Sequence, residues 1–323
     1  MSESFIGVDI GGTKISVAVL SGGKLSKPKQ WPTDTTSTTH LLDQIVAAID
    51  EVRGPEVVGV GVGVPSVVDF ATGTIRSSVN IPLQGIPLRR TLHERVNLPI
   101  VVDNDANAAA FAEAHDDAGR LVASDLVMFT IGTGVGGGLV LGGRSYRGAT
   151  GAAAEFGHTM IGLDLSLTAA PPRGFPQHGS LESLAAGREL DRLAQSTAIA
   201  APDSMLGRLA SKGQTISGSD AVEAAQAGDQ AAIRALRLLG ERLGIGIANA
   251  INTFDPEVVA IGGGVSRAGD LLLLPARDTA AGYILPGVGT RTEIRLARHG
   301  TDAGVLGAAL MARSELDSRG DRR

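Results

Sequence analysis

Two β-rich runs, residues 5–8 and 15–20, flank the glycine-bearing stretch Asp9-Ile10-Gly11-Gly12-Thr13-Lys14, and that arrangement predicts a hairpin. Leu41, Leu42, Ile45, Val46, Ile49 and Val52 then recur on one face of a helix, and residues 57–64 read as a buried strand broken by glycines. Residues 99–102 form a short strand that passes through Asp103-Asn104-Asp105 into an alanine-rich helix over residues 106–115, which puts the polar triplet on a strand-to-helix corner. Residues 126–131 and 139–141 enclose Gly132-Thr133-Gly134-Val135-Gly136-Gly137-Gly138 and repeat the strand, glycine turn, strand order of the opening hairpin. A long helix is predicted over 229–252, ending before Asp255-Pro256, and the strand 258–261 runs into Gly262-Gly263-Gly264. Residues 162–179, with three prolines and little periodicity, read as a loop, and the charged tail from Ser314 is expected to fray. Alternating strands and helices give an α/β class. Three glycine turns, each leaving a strand, suggest two similar lobes presenting backbone to one ligand.

A chain of 323 residues is longer than one core comfortably supports, in agreement with two lobes. Apolar residues make up 43% and charged residues 20%, the balance of a globular protein. The net charge of −5, with no stripe of Lys or Arg, argues against nucleic acid as a partner. No basic leader and no apolar run near eighteen residues occurs, so neither export nor a membrane is expected and the cytoplasm is the expected compartment. Cysteine is absent, which removes disulfides and thiolate zinc sites from consideration.

Glycine lets backbone N–H groups approach a phosphate closely, and Gly11-Gly12-Thr13 and Gly132-Thr133-Gly134 both supply such groups with a hydroxyl alongside. Each could equally be a tight hairpin turn. Neither opens a helix or ends in Lys-Ser/Thr, so the P-loop and dinucleotide fingerprints do not apply. Asp9, just before the first turn, is placed either to stabilise that turn or to hold the water shell of magnesium. Asp105 is placed either to cap the helix that follows or to accept a proton from an alcohol. Glu155, His158 and Glu182 are either surface groups or partners for the hydroxyls of a polyol.

Taken in order, Asp9-Ile10-Gly11-Gly12-Thr13-Lys14, Asn104-Asp105-Ala106-Asn107-Ala108-Ala109, the turn 132–138, Glu155-Phe156-Gly157-His158, and Asn252-Thr253-Phe254-Asp255-Pro256 with Ile261-Gly262-Gly263-Gly264-Val265 resemble the ROK family of sugar kinases and repressors. That resemblance implies a two-lobed actin-like ATPase (ribonuclease H-like) fold with a nucleotide and sugar cleft between the lobes. The small lobe would be residues 1–112 with a returning helix at about 300–314, the large lobe 113–299, and 315–323 a frayed tail. It also implies ATP and Mg2+ as cofactors and Asp105 as catalytic base. Asp9 would be the magnesium-associated carboxylate, acting through water in the family pattern. Gly11, Gly12, Thr13, Lys14, Thr133 and Gly134 would bind phosphate, and Gly262, Gly263 and Gly264 the adenosine side. Ser66, Asn80, Asn104, Asp105, Glu155, His158 and Glu182 would contact sugar. Glucose is the leading substrate, with mannose, fructose or an N-acetylhexosamine as alternatives, and a homo-oligomer (dimer or tetramer) is implied.

The chain departs from the family pattern twice. Arg173, Phe175 and Ser180 stand where many members have the cysteines that bind zinc together with the histidine at His158, so no zinc is expected. The turn after Gly63-Val64-Pro65 carries Ser66 in place of glycine. A repressor would need a DNA-binding segment ahead of the first glycine turn, for which residues 1–10 leave no room, and a sugar-binding sensor without turnover is the other competing reading.

Overall fold

The computed structural model describes residues 3–116, 118–163 and 174–320. The chain forms two compact units, residues 1–128, 138–154 and 298–323 in the first and 129–137 and 155–297 in the second.

The first unit is built on a sheet from β1 (Ser4–Ile10), β2 (Lys14–Ser21), β3 (Lys24–Leu25), β4 (Lys29–Pro32), β5 (Val57–Val64) and β8 (Ile100–Asn104) in the order β3-β2-β1-β5-β8, with β4 pairing β2. β1 and β2 are antiparallel and pair Ile10 with Ile15 across the glycine turn, whereas β1, β5 and β8 run parallel. Helix α1 (Thr38–Val52), capped by the Ser37 side chain, buries Leu41, Leu42, Ile45 and Ile49 against this sheet. The hairpin β6 (Ser66–Asp69) and β7 (Thr74–Ser78), helix α2 (Leu88–Val96) and helix α3 (Asp105–Glu113) complete the run from β5 to β8 and beyond. The C-terminal helix Ala303–Gly320 lies directly on the sheet backbone, because β-carbons added at Gly7 or Gly61 would fall 1.9 Å from the Val305 carbonyl oxygen or 1.8 Å from that of Ala308. The glycines that interrupt β1 and β5 are therefore what lets the helix settle there.

Helix α3, which spans the boundary expected at 112/113, belongs wholly to this unit, whose first segment continues to residue 128. The C-terminal helix runs on to Gly320, although the polar tail predicts fraying from 315. Arg147 sits 3.6 Å from Glu315, and the Leu316 side chain covers Gly59, so the last turns have partners that their composition does not reveal.

In the second unit the sheet order is β11-β10-β9-β12-β13, from β9 (Leu126–Ile131), β10 (Val135–Leu141), β11 (Arg144–Ser145), β12 (Val258–Gly262) and β13 (Glu293–Leu296), with β11 wholly and β9 and β10 partly in the first unit's residue range. Phe129, Phe156 and Phe254 stack in series with ring centroids 5.1 and 6.1 Å apart and anchor its core. Helices α4 (Leu181–Ala185), α5 (Gly187–Ala200), α6 (Met205–Ser211), α7 (Gly218–Gln226), α8 (Gln230–Phe254) and α9 (Asp270–Tyr283) surround it. α8 starts where Asp229 accepts the N–H groups of Ala231 and Ala232, and it stops at Asp255, whose φ of 44° is left-handed. Among the described residues no helix is long and apolar enough to cross a membrane.

Candidate active site

In the first unit, β1 delivers Asp9 to the edge of the hairpin turn. Gly11 N–H donates to Lys14 O (2.8 Å), and Thr33 from the end of β4 clasps the turn by donating its hydroxyl to Gly11 O (2.7 Å) and its N–H to Thr13 O (3.0 Å). Gly12, Thr13 and Lys14 are exposed at its tip. Asp9 itself is half-buried, wedged between β5 and the first turn of the C-terminal helix: a β-carbon at Gly304 would lie 2.6 Å from the carboxyl carbon of Asp9, and one at Gly63 would lie 3.8 Å from its Oδ1 and 3.5 Å from Asp105 Cα. The Asp9 carboxyl is pushed up to about 7, first by burial and then by the negative charge of Asp105, with Lys14 opposing. A helix start favours nearby anions, which offsets part of that cost.

The strand-to-helix corner resolves which of its residues is the cap. Asn104, with extended backbone, accepts the N–H groups of Ala106 and Asn107 on its side-chain oxygen. Asp105 is the first helical residue, half-buried, its Oδ1 reaching Ala106 N–H (2.8 Å). Asn104 also donates from Nδ2 to Ser66 O (3.3 Å), joining the corner to the start of β6. The Ser66 hydroxyl is already engaged, donating to Ser78 Oγ (2.9 Å), which donates to Ile81 O (2.8 Å). Asn80 is exposed beside Gly12 and lines an open depression of about 510 Å3 with Thr35, Ser78 and Gln84.

In the second unit, the turn after β9 is closed by Gly132 N–H to Gly134 O (2.9 Å) and accepts Gly187 N–H on Gly132 O (2.8 Å). Glu182, in the first turn of α4, accepts Val135 N–H on Oε2 (2.8 Å), so this carboxylate props the glycine turn. A cavity of about 330 Å3 is lined by Gly132, Thr133, Arg188, Asp191, Gly264 and Arg267 among others. Gly262 ends β12, and Gly263, at φ 87°, passes so close to the Ile131 backbone that only glycine fits. Around Gly132 and Gly264, by contrast, an added β-carbon meets nothing within 4 Å: the space beside both is open.

Glu155 and His158 flank a single turn of 3-10 helix and are both exposed, with carboxylate and ring nitrogen 3.9 Å apart. Between them Phe156 enters the core and Gly157 presses on Val135 O, so those two hold the turn in place. The Phe175 ring meets His158 edge-on at 5.4 Å, and Ser180 spends its hydroxyl capping α4; Arg173 lies outside the described residues. A phenyl ring and an engaged hydroxyl do not fit a zinc site.

Several participants carry no signal in the sequence. Gly304 is one glycine among several near the start of a helix, Arg188, Asp191 and Arg267 are ordinary helical or loop polar residues, and Asp103 and Arg147 are 44 residues apart.

Comparison with known proteins identifies the family of the chain. The chain belongs to the ROK family, which residues 5–315 match. It is 35% identical to a glucokinase of Halalkalibacterium halodurans over 97% of this chain and 96% of that protein. It is 33% identical to an N-acetyl-D-glucosamine kinase of Shigella boydii over 95% and 98%. A ROK family glucokinase from Streptomyces griseus, crystallised with glucose and AMPPNP, shares the fold with a TM-score of 0.79 at 36% identity, covering 96% of this chain and 99% of that one. The mixed α/β fold is thus the actin-like two-domain ATPase fold of ROK kinases.

Proposed function

We propose that this chain transfers the terminal phosphoryl group of ATP to a hexose hydroxyl, with glucose as first substrate and glucose 6-phosphate as product. The observation that carries the reading is the corner 104–105: Asn104 takes over the capping of α3, and Asp105 is left at the helix start close enough to Asp9 to raise its pKa. Asp105 accepts the proton of the attacking hydroxyl. Because phosphoryl transfer passes through a loose transition state, holding that hydroxyl in line matters more than base strength. Asn104, Asn80, Glu155 and His158 supply the polar groups that pair with sugar hydroxyls, and Ser66 shapes their surroundings with its hydroxyl turned to Ser78. The tips of the two glycine turns present N–H groups and Thr13, Lys14 and Thr133 to phosphate oxygens. The open cavity beside Gly132 and Gly264 suits the adenosine side, with Arg188, Asp191 and Arg267 on its wall.

Asp9 fits a magnesium site: a carboxyl strained by its own burial and by a second carboxylate is one that a divalent cation would stabilise in ionised form. Magnesium there would neutralise charge on the phosphates. Likeness to glucokinases supports glucose, and likeness to an N-acetyl-D-glucosamine kinase keeps an N-acetylhexosamine as second reading. The deciding experiment is ATP turnover by the purified chain with a panel of hexoses and N-acetylhexosamines. Glucose-dependent ADP release is expected; no sugar-dependent turnover with any member of the panel would overturn the proposal.

A further inference from the structure

Asp103 is 3% exposed and has no part in the proposed transfer, yet it is among the most thoroughly bonded carboxylates of the first unit. Its Oδ1 accepts from Asn104 N–H (2.7 Å) and Asn107 Nδ2 (3.0 Å), and its Oδ2 accepts from Arg147 Nε (2.6 Å). These are the residue before Asp105 and the residue two after it. Whatever holds Asp103 therefore holds both sides of the proposed base. A buried carboxylate needs a counter-charge, and Arg147, its side chain only 17% exposed, provides it.

Arg147 does more than neutralise. Its guanidinium lies over the Phe70 ring, 3.4 Å from the centroid, just past the end of β6 whose first residue is Ser66. It also stands 3.6 Å from Glu315 of the C-terminal helix, the helix whose start abuts Asp9. The planar group thus joins the corner, the β6–β7 hairpin and the C-terminal helix, three elements that carry Asp105, Ser66 and the Asp9 surroundings. A lysine has neither the fork nor the flat face to bond and stack at once. Immediately downstream, Gly151 packs on Val68 O and keeps the segment after Arg147 against the same hairpin.

We infer that Arg147 is a positioning residue for phosphoryl transfer, fixing the orientation of the Asp105 carboxylate through Asp103. This rests on the kinase reading above. Displacing a catalytic group by about 1 Å can cost on the order of 100-fold in rate while ground-state binding barely changes. The signature is accordingly a split between kcat and KM.

The test uses the full chain with ATP and its best sugar, kcat being read per folded protein well below each variant's melting temperature. Arg147→Met should lower kcat by about 10- to 100-fold and leave both KM values within about threefold. Because that change strands a buried charge and risks the fold, the double variant Asp103→Asn/Arg147→Gln is the second probe. Gln places an amide where Nε stood, so a neutral hydrogen bond replaces the ion pair without reaching Phe70 or Glu315. It should also show the kcat loss, with a melting temperature near the parent's. If Arg147→Met does not fold, the double variant decides alone. A kcat within about threefold of the parent in either folded variant, or KM values that rise as far as kcat falls, overturns the inference. A parent without sugar-dependent turnover sinks the kinase reading instead, and this inference with it.

Discussion

Asn104 accepts two backbone N–H groups at the start of α3, so the cap does not depend on its neighbour Asp105, whose Oδ1 shares the N–H of Ala106. Asp105→Asn should accordingly keep the helix folded, and should hold or raise the melting temperature at neutral pH, because it also removes the negative charge that opposes ionisation of Asp9. Loss of proton acceptance should lower kcat by about 10² to 10⁴. Sugar affinity by calorimetry should move far less, since the amide still bonds a hydroxyl. A variant with kcat within a few-fold of the parent would remove Asp105 from the base role.

The family pattern makes Glu182 an expected sugar contact, and in the fold its Oε2 accepts Val135 N–H at the edge of the second glycine turn. Truncating Glu182→Ala frees that N–H and loosens the turn proposed to face phosphate. Both KM values should then rise, that for ATP at least as much as that for sugar, by the equivalent of about 1 to 3 kcal/mol. A rise confined to sugar would show that the Val135 bond is incidental to its function.

What could be read in the sequence is what is local in the chain. The opening hairpin, the strand-to-helix corner and the glycine turns each occupy a dozen residues or so, and their φ/ψ demands are written in residue type. The corner shows the limit of that reading, since Asp103, Asn104 and Asp105 are all competent caps and only the fold sorts them: one buried and bonded to Arg147, one capping, one at the first helical position. The Glu182–Val135 bond spans 47 residues, and the Gly304–Asp9 contact joins opposite ends of the chain. Spacing carries no information about such pairs. The raised pKa of Asp9 belongs to this class, because it arises from burial and a charge 96 positions away in sequence numbering, Asp105 against Asp9.

The Gly304–Asp9 contact yields a prediction of its own. Gly304→Ala adds a methyl group 2.6 Å from the Asp9 carboxyl, well inside van der Waals contact, in the first turn of a helix where alanine is otherwise preferred to glycine. Propensity alone would make the change stabilising by about 1 kcal/mol. The clash should reverse that sign and displace Asp9, so that the apparent KM for magnesium and ATP rises. Unchanged magnesium dependence together with a higher melting temperature would show that Asp9 has room to move and that its position is not critical.

Asp9 also sets an expected pH dependence of stability in the absence of ligands. Its folded pKa, about 7, lies above the ordinary carboxylate value of 3.8, so between those values the folded chain binds more protons than the unfolded chain. Stability therefore falls as pH rises through that window, and is level above it with respect to this group. The full shift corresponds to at most about 4 kcal/mol, an upper bound for a half-buried group. Asp9→Asn removes the titration: urea unfolding should show the variant more stable than the parent at pH 8 and the difference shrinking towards pH 5. The same substitution should abolish turnover, because an amide is a poor magnesium ligand next to phosphates. Magnesium and ATP together should stabilise the parent at pH 8 much more than the variant. A parent whose unfolding free energy rises between pH 5 and pH 8 by as much as the variant's would mean that Asp9 is ionised at no cost and that burial beside Asp105 does not strain it.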